Sequence, residues 1–130
     1  MTKILYFDIS DVPGEQSSII CVDFTGIGNV QQLFTNVGTA LDFELVPQNS
    51  WDAFLDQFRE FCTSRETDTV LLFDGFEKFS KSCFQLSAKL TESIYFAINE
   101  HYQIIQHYKG IPEEKRIHDN KDVRIFLVLK

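Results

Sequence analysis

Cysteine is scarce in this chain, and its placement matters more than its number. The three residues Cys21, Cys62 and Cys83 are odd in count and widely spaced, and no CxxC pair occurs. That argues against a disulfide framework and leaves each thiol the expected role of a small buried hydrophobe. Histidine is equally sparse. His101 and His107 stand six positions apart, hence on different faces of a helix, and with His118 they form neither an i, i+4 ligand pair nor HExxH. No apolar run approaches the ~20 residues needed to span a bilayer. The opening Met1–Asp8 stretch is too short for a signal-peptide core and lacks a small-residue cleavage site, so a cytoplasmic location is expected. Gly26 and Gly28 form a GxG that nothing extends to GxGxxG. Asp23, near the end of an apolar stretch, has no matching acidic partner or motif lysine and reads as a loop-edge residue.

What the chain does have is phenylalanine and negative charge. It holds 130 residues, 44% of them apolar and 13 of them Phe, enough for one domain with one core. Acidic residues number 19 against 12 basic, a net charge of −7. Residues 42–77 contain nine acidic residues and only two basic ones, Arg59 and Arg65, while the remainder holds ten of each sign. The whole net charge therefore sits in one segment. Such a field repels nucleic acid and anionic membrane and steers cationic partners in.

At the centre of that segment Asn49–Cys62 reads as an amphipathic helix. Trp51, Phe54, Leu55, Phe58, Phe61 and Cys62 follow helical spacing, and Ser50 is placed to cap the first turn. At about 100° per residue, Asp52, Asp56 and Glu60 fall in one row beside the apolar stripe. Like charges at i, i+4 cost a helix roughly 0.2–0.5 kcal/mol per pair. Asp52 has a structural use, complementing the helix dipole in the first turn. Asp56, a turn further in, has none that the local pattern supplies.

The rest of the chain reads as strands and helices in the order β-(β-α-α-β-α-β). Strands are expected at Ile4–Ile9, Ser18–Phe24, Val70–Phe73 and Val123–Leu129, with a turn at Asp11–Glu15. One helix starts at Val30 with Leu33, Val37 and Leu41 inward and Gly38 as a soft spot; another runs from Ser87 to about Tyr108. Phe76, Phe79, Phe84 and Leu86 are expected to pack a partly helical connection between strand and helix. Helical crossovers between apolar strands imply a small parallel α/β sheet packed by helices, the first strand being extra and lying along an edge. The expected organisation is a single domain, 1–130, with 1–18 as an N-terminal extension and 109–122 as an insertion before the last strand.

From Ile20 to Phe61 the chain resembles the barstar family of intracellular ribonuclease inhibitors. Trp51-Asp52-Ala53-Phe54-Leu55-Asp56 is similar to the family's Asn-Trp-Asp-Ala-Leu-x-Asp signature. The likeness resumes at Val70–Phe73, at Ser93-Ile94 to Glu100 and in the final strand, about two-thirds of the chain. It departs at Leu45–Asn49, where the family has aromatics and a Gly, and at Leu55, where a tryptophan is common. The resemblance implies a three-stranded parallel sheet packed by three or more helices. It also implies that the acidic helix and the loop before it plug a ribonuclease active site. Asp56 would enter the enzyme's phosphate-binding pocket, Asp52 would pair with its Arg or Lys groups, and Glu100 would add a peripheral contact.

The expected function is that of a non-enzymatic immunity protein. It would bind and block a basic bacterial nuclease toxin through Asp52, Asp56, Ser50, Glu44, Glu60 and Glu100. No cofactor or metal is expected, and the partner would be the toxin in a 1:1 heterodimer with a monomeric inhibitor, not nucleic acid or membrane. The alternative is an acidic regulatory domain that binds a basic protein without inhibiting a nuclease. A small hydrolase built on Asp52 and Asp56 is the weakest reading, because an open helix face offers no enclosure to split their pKa values.

Overall fold

In the computed structural model, residues 4–7, 18–45, 47–111, 121 and 123–128 are described, residues 4–7 and Tyr108 by backbone alone. The expected turn at Asp11–Glu15 and most of the expected 109–122 insertion lie outside them.

An uninterrupted apolar strand must be covered on both faces, and Thr69–Asp74 is buried at every position but its last. It is the third strand in the chain, β3, and lies inside a parallel sheet. Ser18–Asp23 (β2) flanks it on one side and Val123–Val128 (β4) on the other, while Ile4–Phe7 (β1) adds to the far edge of β4. The order β1-β4-β3-β2 places the extra N-terminal strand along an edge, as its position in the sequence suggested. Ser18 is the first residue of β2.

Strand alternation sorts the side chains onto two faces. Val22, Leu71, Phe73, Val123, Ile125 and Leu127 enter the main core, while Val70, Leu72, Phe126 and Val128 form a smaller buried cluster opposite. Four helices, α1 (Val30–Ala40), α2 (Trp51–Thr63), α3 (Phe76–Ser82) and α4 (Phe84–Lys109), supply most of the rest of the main core, with Phe24, Ile27 and Leu41 added from the connections around α1. Cys21 is exposed, contrary to the expectation of a buried thiol. It pairs in register with Leu72, so it points away from the helices, and on an edge strand that face is only partly covered. Ile19, two residues earlier on the same face, is 46% exposed for the same reason.

Local chemistry sets the helix ends. Asn29 Oδ1 accepts from Gln32 N–H at 2.8 Å to start α1. At its other end Phe43 N–H donates to Gly38 O at 2.8 Å and Asp42 N–H to Thr39 O at 3.3 Å, the paired bonds of a Schellman turn. Gly75 starts α3 at φ 73°, and a Cβ there would stand 3.0 Å from Thr25 Oγ1, so both backbone angle and space call for glycine.

The connection after β3 is more helical than expected. Only Cys83, at φ −128° and ψ 61°, separates α3 from α4, which begins at Phe84 and runs through Lys109. Phe76 and Phe79 are buried and stack near Phe24, with ring centroids 5.2 Å from it in each case. Phe84 is not: it is 73% exposed, because the new helix starts there with its first residue turned outward, and Leu86 packs against the core instead.

Candidate functional site: the acidic face of α2

α2 is fixed by its N-terminal cap and by the buried face beneath it. Ser50, in extended conformation, accepts from Ala53 N–H at 3.1 Å through its hydroxyl, and its carbonyl accepts from Phe54 N–H at 3.0 Å. Phe54, Phe58, Phe61 and Cys62 are buried. Trp51 is half-buried, packed edge-on to Phe34 and Phe54 at 5.0 and 5.6 Å between centroids, which makes it a core residue. The helix thus has one rotational setting, and that setting turns Asp52, Asp56 and Glu60 outward, all exposed.

Asp56 does have a structural partner, one the helical spacing alone offered at i, i+3. Arg59 Nη1 lies 3.5 Å from Asp56 Oδ1, and Arg59 Nε lies 3.4 Å from Glu100 Oε1 on α4. The Arg59 guanidinium also sits 5.7 Å from the centre of the Phe96 ring. This corrects the expectation that Asp56 has no structural use and brings Asp56 and Glu100 together around one cation. The pair leaves Asp56 available: its side chain remains 75% exposed, and surface pairs of this kind contribute about 0–1 kcal/mol.

Glu44 and Glu60 lie elsewhere. With Asp42, Gln57, Phe61 and Arg65 they line a cleft of about 180 Å³ between the end of α1 and the second half of α2. Leu45 N–H reaches Gln57 Oε1 at 3.5 Å, tying that loop to the helix. Arg65, in the connection between α2 and β3, is held against both: Nε donates to Thr69 Oγ1 at 2.9 Å and the guanidinium lies 4.6 Å from the centre of the Phe61 ring. Of the sequence-predicted residues, Asp56 and Glu100 therefore meet around Arg59, Glu44 and Glu60 line the cleft, and Asp52 stands exposed in the first turn of α2. Asp42 joins the second group. Its place in the acidic segment was visible in the sequence, its place on the cleft wall was not.

Both cations of the acidic segment are thus occupied by partners within the fold, while Asp42, Glu44, Asp52, Asp56 and Glu60 are exposed. Such a surface can bind guanidinium and ammonium groups. Away from it, Thr25 N–H donates to Asp23 Oδ1 at 2.8 Å and holds that carboxyl below its ordinary value of 3.8. His101 is buried in α4 and donates from Nε2 to Lys121 O at 2.6 Å. Among the described residues no group of three or more His, Cys, Asp or Glu is arranged to hold a metal ion, and no helix is long and apolar enough to cross a membrane. The chain matches no family model, no curated protein and no solved structure.

Proposed function

We propose that the chain is a barstar-like immunity protein that blocks a basic ribonuclease toxin by presenting α2 carboxylates where the enzyme binds substrate phosphates. The observation that carries this reading is the row Asp52, Asp56 and Glu60, exposed on a capped helix whose opposite face is locked into the core. A nuclease cleft must be cationic to hold polyphosphate, and carboxylates on a rigid element meet it with little conformational cost. Glu100 supports the reading by standing beside Asp56, although it comes from a different helix. The order β2-α1-α2-β3-α3-α4-β4 is compatible with the proposed family arrangement, with β1 as an addition.

Co-expression with basic secreted ribonucleases tests it. The wild-type chain is expected to rescue growth against its cognate toxin, and Asp56→Ala to lose rescue and weaken binding far more than any surface Lys→Ala. Association should slow as salt rises. Binding that persists unchanged in Asp52→Ala and Asp56→Ala sinks this mode. Binding to a basic protein without rescue favours the regulatory-domain reading instead.

A further inference from the structure

The contact among Asp56, Arg59 and Glu100 has the arrangement of an occupied cation seat. Two carboxylates from different helices converge on one guanidinium, and an aromatic ring, Phe96, lies beside it. The seat is filled loosely. Charge-assisted N–H···O bonds between guanidinium and carboxylate settle at about 2.7–2.9 Å, often in parallel pairs. Here the contacts are single and lie at 3.5 and 3.4 Å. Arg59 Nε is buried yet makes no hydrogen bond, its approach to Glu100 being one of charge without the required angle. Both carboxylates keep unused acceptor positions, and their side chains are 75% and 45% exposed.

We infer that Arg59 is a resident cation that occupies the seat between Asp56 and Glu100 until a partner's guanidinium replaces it. The inference rests on α2 being the surface that meets a cationic partner. In the free protein Arg59 relieves the repulsion between the two carboxylates and keeps them facing one point. On binding, the incoming arginine takes the carboxylates, and the flexible Arg59 stem turns its charge to solvent. Arg59 therefore sets a threshold. A partner with a well-placed planar guanidinium displaces it, and diffusely basic proteins do not, which is selectivity by competition within the chain.

Fluorescence anisotropy with a labelled hexa-arginine peptide at low salt tests this. Arg59→Gln is expected to tighten binding by about threefold to tenfold, the range set by the worth of exposed ion pairs. Lys78→Gln on α3 removes the same unit of charge and is expected to give a smaller gain. The excess gain of Arg59→Gln should vanish near 0.5 M salt. Arg59→Met keeps the stem and ring contact without charge; it should match Arg59→Gln and serves if that variant fails to fold. Binding by both Arg59 variants no tighter than by Lys78→Gln, or weaker than wild type, overturns the resident-cation role. A separate outcome concerns the surface itself: if Arg59→Gln with Asp56→Asn and Glu100→Gln binds as well as Arg59→Gln alone, the peptide does not use this face and the underlying reading fails.

Discussion

Phe34 on α1 and Phe54 on α2 stack with ring centroids 5.1 Å apart and planes 17° from parallel. This pair joins the two crossover helices, and through Phe54 it sets which way the acidic row of α2 faces. Phe54 is fully buried, with Phe43, Trp51 and Phe58 also within 6.3 Å of its ring. Phe54→Ala is expected to cost about 3–5 kcal/mol through lost burial and an unfilled cavity. Phe84→Ala, on an exposed ring, should change stability by less than about 0.5 kcal/mol. Urea unfolding of both variants checks the contrast.

Asp42 is the one described non-glycine residue with positive φ, at 57°. It stands where the Schellman turn after α1 favours glycine, and an L-residue with a Cβ is strained there. Asp42→Gly should stabilise the protein by about 0.5 kcal/mol, the relief of strain being partly offset by greater freedom in the unfolded chain. Asp42→Asn, which removes the charge while keeping a side chain tolerant of this conformation, is expected to gain less. A shift in urea midpoint at unchanged slope is the measurement.

Thiol chemistry should separate two cysteines. Burial raises the Cys62 thiol from its ordinary value of 9.0 to about 12, with the charge of Arg65 offsetting part of that rise. Cys21 is exposed. At pH 8 a thiol reagent is expected to label Cys21 in the folded protein and Cys62 only on unfolding. The sign for stability follows from where the proton is lost. Between pH 9 and about 12 the unfolded chain releases the Cys62 proton while the folded one keeps it, so this residue makes stability fall as pH rises. Cys62→Ser should flatten that alkaline slope.

The parts of this fold that follow local rules were legible in the sequence. Ser50 announced α2 because a hydroxyl before a helical stripe has one obvious use, and the run Val70–Phe73 announced a strand covered on both faces. What was illegible depended on distant neighbours. Cys21 lies in as apolar a stretch as its neighbours, but nothing local says that β2 is an edge strand. Phe84 illustrates that apolar residues need not be inside, since a break at Cys83 restarted the helix with a different face inward. In the site, the Asp56–Arg59 contact was available from i, i+3 spacing, whereas the meeting of Arg59 with Glu100 required α2 to pack on α4. Glu100 was named through the family resemblance, and its distance in sequence gave no physical route to it.

The parallel pairing of β1 with β4, Ile4 opposite Ile125, has a bearing on how the molecule comes together. Nearly the whole chain lies between the partners, so this ladder rewards its loop-closure entropy only after β2, β3 and β4 have already assembled. A strand of four residues on the rim is then expected to dock last and to peel away first. Its departure would bare one edge of β4 while leaving α2 packed on α4. The acidic face thus takes its support from α4 and owes nothing to the strand that closes the longest loop.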